Sequence, residues 1–312
     1  MRLPRTPLAL VALGTAAVAL GAGGGPPDSE LQVLHGGAWV AWWRSSSAPA
    51  SWRAADPRLA GAVVWRPAAA GMERGELHLA GNGEAWRLRV VLVALDPSQL
   101  RFELVRASRD AGTLPAWSLA DRPADSVLAV NAGQFTGGFP WGWLVRGGRV
   151  EQPPGSGRLA MAVCVDADGR VALLPAAAIP TSGEPTPDLA FESYPALLEG
   201  DGVVPGPLRE AGLGVDLGHR DIRLAVGELR DGRILIALTR FDAAGVALGS
   251  LPFGPTLPEM AAIVGALGCR RAVALDGGIS AQLAVRDADG AWLTWRGWRP
   301  VPLALVAFPR QR

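Results

Sequence analysis

The chain has 312 residues, enough for a hydrophobic core that folds without disulfides or metals, and its length fits one large domain behind an export signal. Its 30 basic and 29 acidic residues give a formal net charge of +1, which argues against a general nucleic-acid binder. The sequence contains no Lys, which excludes Schiff-base lysines and the P-loop lysine.

The N-terminus has the pattern of an export signal. Arg2 and Arg5 precede an apolar stretch from Leu8 to Leu20, and small residues follow at 21–25. We predict that residues 1–22 are a signal peptide and that the protein is exported to the periplasm or the extracellular space. The apolar stretch is shorter than the ~20 residues that span a bilayer, so no stable membrane span is expected after processing.

Residues 23–69 are predicted to be a linker and a Trp-rich wrapping segment. Its first part is rich in Gly and Pro, and five Trp residues follow between positions 39 and 65 without a clean period. We expect these Trp side chains to pack onto a main domain at residues 70–310, because Trp carries a large apolar surface. A separate sugar-binding module is the alternative.

Two-residue turn signals between apolar runs recur along the main domain. They are Gly147-Gly148, Asp168-Gly169, Asp231-Gly232 and Asp289-Gly290. Such pairs supply the positive φ angles of tight hairpins. No Rossmann glycine fingerprint follows a strand. The predicted fold is therefore α+β, with an antiparallel or mixed β-sheet framework and a few packed helices in a single catalytic domain.

One helix is predicted over residues 256–268. Thr256 and Glu259 have the spacing of a capping box, Pro258 lies in the first turn and Gly268 can end the helix. Its apolar residues are expected near one side. A short buried strand at residues 271–275 follows and leads into Asp276-Gly277-Gly278, so a carboxylate is expected where the chain leaves the core.

Five motifs in this order resemble the phosphodiester glycosidase domain family, which occurs in bacterial exported proteins and in the mannose-6-phosphate uncovering enzyme. The resemblance extends over roughly residues 70–308. The motifs are Val-Asn-Ala-Gly-Gln-Phe at 130–135, Glu-Ser-Tyr-Pro-Ala-Leu-Leu at 192–198, Arg-Leu-Ala-Val-Gly at 223–227, Thr-Leu-Pro-Glu-Met-Ala at 256–261, and Leu-Gly-Cys with Ala-Leu-Asp-Gly-Gly-Ile-Ser within 267–280.

The resemblance implies hydrolysis of a sugar-1-phosphodiester, which releases the sugar and leaves a phosphomonoester. The implied partner is a carbohydrate or sugar-phosphate substrate. This chain departs from the family's Asn-Gly-Gly-Phe at Ala132 and Gln134, and Ile279 occupies the third glycine of its Asp-Gly-Gly-Gly-Ser. These departures leave a non-catalytic glycan-binding domain and a glycosidase or depolymerase acting on an exopolysaccharide as alternatives.

Asp276, Arg223 and Glu192 are the catalytic candidates. A carboxylate can serve the oxocarbenium-like transition state of glycoside cleavage, and a guanidinium can bind phosphate through two hydrogen bonds. Because the second pKa of a phosphate group is roughly 6, the leaving group needs little help from a strong acid. Asp242 is a further candidate for the second carboxylate.

Seven residues are candidates for substrate binding: Asn131, Gly133, Tyr194, His219, Gly277, Gly278 and Ser280. No cofactor is predicted, and a divalent metal is left open. Cys164 and Cys269 lie in apolar stretches, which favours buried thiols over the disulfide that export would permit.

Overall fold

The computed structural model describes residues 28–107, 116–180, 186–242, 251 and 253–310. The predicted signal peptide at residues 1–22 lies outside the described residues. The described part contains two α-helices, α1 (Pro57–Ala60) and α2 (Leu257–Ala266), and strands supply most of the regular structure. The predicted β-sheet framework is present, but the helices contribute less than expected. No helix within these ranges is long and apolar enough to cross a membrane.

The strands follow in chain order. They are β1 (Glu30–His35), β2 (Ala38–Arg44), β3 (Val64–Pro67), β4 (Met72–Ala80), β5 (Leu88–Leu95), β6 (Leu100–Arg106), β7 (Leu128–Asn131), β8 (Phe135–Thr136), β9 (Phe139–Pro140), β10 (Leu144–Arg146), β11 (Arg149–Gln152), β12 (Met161–Val165), β13 (Val171–Pro175), β14 (Leu189–Ser193), β15 (Ala196–Leu198), β16 (Leu224–Leu229), β17 (Ile234–Phe241), β18 (Cys269–Leu275), β19 (Leu283–Arg286), β20 (Trp292–Trp295) and β21 (Leu303–Pro309).

These strands form three larger sheets and one small ribbon. The nine-stranded sheet has the order β15-β18-β16-β17-β5-β4-β1-β2, with β3 paired to β4. The two five-stranded sheets have the orders β11-β10-β14-β12-β13 and β20-β19-β7-β21-β6, and β8 pairs with β9. The strand pairs described are antiparallel, as in β16 with β17 and in β16 with β18. The four predicted turns connect β10 to β11, β12 to β13, β16 to β17 and β19 to β20, so those hairpins are confirmed.

The Trp-rich segment contributes strands to the large sheet. β1 pairs with both β2 and β4, and β3 pairs with β4. Trp42, Trp43 and Trp52 are buried beside α2 in one hydrophobic cluster. The segment therefore extends the sheet and covers the helix at the same time.

The middle of the large sheet is buried on both faces, which explains why the central strand β5 is continuously apolar from Val90 to Leu95. In β5, Val91 and Val93 face the core shared with the other sheets, whereas Val90 and Leu92 face α2 and the Trp residues. A strand covered on both sides has no polar face, so it lacks the alternation that marks a half-exposed strand.

The helix α2 has the predicted capping box but is buried on all sides rather than along one stripe. Thr256 and Glu259 make both capping hydrogen bonds, and every residue from 259 to 266 is buried. Glycines allow this close packing. A Cβ on Gly265 would lie 2.3 Å from Cδ1 of Trp52, and one on Gly227 would lie 2.5 Å from Sγ of Cys269.

Glu259 also anchors the loop that precedes β16. Its fully buried carboxylate accepts two hydrogen bonds from the Arg220 guanidinium, at 2.7 and 2.9 Å, and a further one from the Ser29 hydroxyl. A buried carboxylate needs such partners, because an unpaired charge in the interior is strongly unfavourable.

We expect Glu259→Gln to lower the free energy of unfolding by about 3 kcal/mol, because Arg220 then keeps a largely buried charge whose remaining carboxylate partner, the exposed Glu84, lies 3.8 Å away. Thr256→Ala removes only the cap and should cost about 1 kcal/mol. Urea unfolding of both variants measures the difference. Equal losses would show that Glu259 acts only as part of the helix cap.

Candidate active site

The pairing of β16 with β18 brings two distant segments together. Leu224 at the start of β16 pairs with Leu275 at the end of β18. In an antiparallel pair, the residues before one strand adjoin the residues after the other. Arg223 and Asp276 therefore lie at the same end of the sheet, and the amide of Gly278 donates to the carbonyl of Ile222 at 2.8 Å.

A cleft of about 560 Å³ opens at this end of the sheet. Among the predicted site residues, those that line it are Asp276, Arg223, Gly277, Gly278 and Ser280. The sequence predictions missed Asp221 and Arg299, which also line it. The only signal for Asp221 would have been the strand pairing itself, since the residue stands just before β16.

Burial is the main cause that raises the pKa of Asp276. The negative charge of Asp221 raises it further, while a hydrogen bond from the Ser280 side chain and the charge of Arg299 lower it. A carboxyl group of raised pKa in a cleft is typical of acid–base catalysis.

Two glycines allow the backbone to approach Asp221 and its neighbour. A Cβ on Gly277 would lie 2.4 Å from the carbonyl oxygen of Ile222, and one on Gly278 would lie 2.6 Å from Oδ2 of Asp221. Gly278 also has a φ of +54°, which disfavours other residues. Because Gly278 is two residues from Asp276, Asp221 lies beside the loop that carries Asp276, which accounts for the effect of its charge on that carboxyl group.

Arg223 and Arg299 supply positive charge to the cleft. Nε of Arg223 donates to the carbonyl of Pro255 at 3.0 Å, and Nη2 donates to the carbonyl of His219. Burial lowers the pKa of Arg223, and nearby carboxylates, Asp221 foremost, partly oppose this. Within the described ranges neither guanidinium forms an ion pair, so the positive charge of both can act on an anionic ligand. Since Nε and Nη2 of Arg223 already donate to carbonyl groups, a direct contact from this residue would come from Nη1.

Asn131 and Gly133 form hydrogen bonds with the backbone of Asp276. The Asn131 amide donates to the carbonyl of Asp276 and accepts from the amide of Gln282, both at 2.9 Å, and its side chain is fully buried. The carbonyl of Gly133 accepts from the amide of Asp276 at 2.9 Å. Neither residue lines the cleft. Asn131, predicted to bind substrate, therefore uses its side chain to hold the backbone of the Asp276 loop.

Glu192 lies outside the cleft lining. Its Oε2 accepts from the amides of Trp143 and Gly155 at 2.6 and 2.7 Å, and Oε1 is buried without a hydrogen-bond partner in the described part of the chain. A Cβ on Gly142 would lie 2.4 Å from Oε2. The structure thus assigns this predicted catalytic carboxylate to holding the segment between Gly142 and Gly155.

Tyr194 and His219 adjoin the cleft without lining it. The Tyr194 ring meets Trp141 edge-on at 6.4 Å, and its carbonyl accepts from the Gln134 amide. His219 is exposed, with Nε2 3.7 Å from Oδ2 of Asp221. Gln134 itself lines the cleft.

Ile279 forms part of the cleft rim, with 43% of the residue exposed. Its carbonyl accepts from the amides of Trp298 and Arg299 at 2.8 and 3.1 Å. The Ile279 backbone therefore positions the segment that carries Arg299, while the Ile279 side chain narrows the entrance.

The other sequence candidates lie elsewhere. Asp242 contacts His78 rather than the cleft. Cys164 and Cys269 are free and buried in different sheets, and burial raises the pKa of Cys164 to about 12. The described residues contain no group of three or more His, Cys, Asp or Glu side chains placed to hold a metal ion.

A family model described as phosphodiester glycosidase matches residues 124–308 of the chain. No curated protein sequence matches it. The catalytic domain of zebrafish N-acetylglucosamine-1-phosphodiester alpha-N-acetylglucosaminidase, auto-inhibited by its pro-peptide, matches with a TM-score of 0.58 and 14% identity, over 80% of this chain and 89% of that domain. A hypothetical protein from Synechocystis has a TM-score of 0.48 and 16% identity over 77% of this chain and 62% of its own.

We expect Asp276→Asn to stabilise the fold at neutral pH. The pKa of Asp276 is raised in the folded state, so the wild type is penalised only where this group is ionised, above the ordinary aspartate pKa of about 4. The stability advantage of the variant should therefore grow as pH rises from 4 to 7. Urea unfolding of both proteins across this range measures it. An advantage independent of pH would contradict the assigned direction.

Proposed function

The chain belongs to the phosphodiester glycosidase family, and on that premise we propose that it hydrolyses a sugar-1-phosphodiester in the Asp276 cleft. The observation that carries the proposal is one cleft that holds a carboxyl group of raised pKa and two guanidinium groups that form no ion pair with any described residue. A sugar attached to phosphate needs both, because the anomeric carbon reacts beside a carboxylate while the phosphate binds cations.

The proposed reaction breaks the bond between the anomeric carbon and the phosphate oxygen. The ionised Asp276 takes a proton from water, whose oxygen bonds to the anomeric carbon as the phosphomonoester leaves. Arg223 and Arg299 hold the phosphate and stabilise its growing charge. The second pKa of the departing phosphate is roughly 6, so departure requires no strong general acid.

We further propose that these side chains act without a cofactor and that the protein is exported. Hydrolysis changes no oxidation state, so it needs no redox cofactor. Asp276 supplies the base, and Arg223 and Arg299 bind the phosphate. The charged and apolar pattern at residues 1–22 supports export.

Asp221 favours one second candidate, a glycosidase that cuts sugar–sugar bonds. Such an enzyme needs two carboxylates within about 10 Å, and Asp221 and Asp276 line the same cleft. Arg223 and Arg299, which pair with no carboxylate in the described part of the chain, favour the phosphodiester, because a neutral glycoside offers no anion for them. This second candidate would be favoured if the protein released new reducing ends from an uncharged polysaccharide and left sugar-1-phosphodiesters uncleaved.

The first experiment incubates the wild type with a panel of sugar-1-phosphodiesters, nucleotide sugars included, and measures free sugar by mass spectrometry. Asp276→Asn should lower kcat by about 10³-fold, since it removes the base. Arg223→Ala should lower kcat/KM by about 100-fold, since it removes a charge-assisted contact to phosphate.

Arg149→Ala, a change on the exposed strand β11, is the matched control and should leave turnover unchanged. Sugars that bind without being released by the wild type would overturn hydrolysis and indicate a glycan-binding domain.

The pH dependence of kcat/KM tests the charge arrangement. The acidic limb should lie above the ordinary aspartate pKa, because burial raises the pKa of Asp276 and the ionised form is the active one. Asp221→Asn removes a negative charge and should move this limb to lower pH, whereas Arg299→Ala removes a positive charge and should move it to higher pH. Shifts in the same direction would rule out Asp276 as the group that titrates.

A further inference from the structure

A second cavity, of about 420 Å³, lies where β4, β5 and β17 end near the β1–β2 hairpin. We call it the Trp86 groove. Its lining includes Trp39, His78, Trp86, Arg87 and Asp242. The cleft and the Trp86 groove share no lining residue.

The aromatic walls of the groove suit a sugar ring. Trp86 is 50% exposed, and its ring is supported edge-on by buried Phe241 at 5.6 Å. Trp39 lines the same cavity, so the groove presents two aromatic side chains rather than a single exposed one. Trp offers an apolar face with a polar handle, which matches the C–H face and hydroxyl edge of a pyranose.

The polar groups of the groove add hydrogen bonds and charge. His78 Nδ1 and Asp242 Oδ2 lie 2.8 Å apart, and both side chains are partly exposed, so their other polar atoms can reach sugar hydroxyls. The Arg87 guanidinium stacks over Trp39 at 4.7 Å. None of the described carboxylates pairs with Arg87, so the groove presents a free cation beside its aromatic walls.

The groove and the cleft open at the same end of the large sheet. Thr239 in β17 hydrogen-bonds Arg223 of the cleft through backbone and hydroxyl, at 2.9 and 2.8 Å. Asp242 of the groove is three residues further along, a distance of roughly 10 Å in a strand.

Aromatic side chains occupy the space between the two cavities. Phe241 packs on Trp86 and, at 5.3 Å, on Phe253, which stands two residues before Pro255. The carbonyl of Pro255 holds the Arg223 guanidinium. These contacts connect the wall of the groove to the part of the cleft that carries Arg223.

We propose that the Trp86 groove binds a distal unit of an anionic, phosphodiester-linked glycan chain while the cleft cleaves another of its linkages. The substrate is then a polymer rather than a small sugar phosphodiester, an inference that rests on the proposed hydrolysis. Trp86 stacks on a sugar ring, the His78–Asp242 pair binds its hydroxyls and Arg87 binds a neighbouring phosphate.

The test compares two polymers, of N-acetylglucosamine 1-phosphate and of N-acetylmannosamine 1-phosphate, with UDP-N-acetylglucosamine as the small substrate. Trp86→Ala should raise KM for at least one polymer by about tenfold and leave kcat/KM for the small substrate unchanged. Trp65→Ala, which removes a partly exposed Trp of β3 that does not line the groove, is the matched control and should change neither. Equal effects of Trp86→Ala on polymer and small substrate, or no effect on either, would overturn the groove.

Binding to the full-length Asp276→Asn variant separates this proposal from the proposed reaction. Titration calorimetry with the polymers should show binding that Trp86→Ala weakens about tenfold, whether or not the wild type hydrolyses them. If the wild type hydrolyses the polymers but neither Trp86→Ala nor Arg87→Ala changes the affinity for them, the proposed glycan site in the groove is wrong and the proposed reaction is still supported. If binding is lost with Trp86→Ala while the wild type hydrolyses neither the polymers nor the panel of small sugar-1-phosphodiesters, the groove is supported and the reaction is overturned.

Discussion

Glu259 and Arg220 form the buried ion pair that positions one wall of the cleft. The carboxylate of Glu259 caps α2 and, in the same place, accepts both hydrogen bonds of the Arg220 guanidinium. Asp221 follows Arg220 directly, and Arg223 is two residues further on. Because a buried charge pair tolerates little displacement, α2 fixes the backbone position from which the side chains of Asp221 and Arg223 enter the cleft. The adjoining part of the cleft, at Asp276, is fixed by the pairing of β18 with β16.

Local signals in the sequence predicted the parts of the fold that depend on neighbouring residues. The capping box of α2 and the glycine-containing hairpin turns are set by backbone hydrogen bonds and φ angles within a few positions, so both could be read directly. Asp276 was predicted as a candidate from a local signal too, because it stands at the end of an apolar run and is followed by two glycines. The burial of α2 on every side could not be predicted from local signals, because it depends on strands and Trp residues far away in the chain.

Two carboxylates were not placed correctly from the sequence, one predicted in the site and one missed. In both cases the position of the side chain depends on contacts between distant parts of the chain. Glu192 is a carboxylate in a family motif, but tertiary packing commits it to the amides of Trp143 and Gly155. Asp221 has no motif of its own and enters the cleft because β16 pairs with β18. Sequence patterns show which side chains can act in catalysis, whereas the packing of distant segments determines which remain free to do so.

The position of β21 has a consequence for how the protein is made. This last described strand lies between β6 and β7 in the middle of its sheet, and its Leu303 pairs with Arg106 nearly two hundred positions earlier. Until β21 has emerged, β6 and β7 present unpaired edges. Sheets that depend on such distant pairings form slowly. During synthesis this sheet therefore stays incomplete until residues 303–309 have emerged, and the exposed edges of β6 and β7 are the places where a partly made chain is most prone to pair with another.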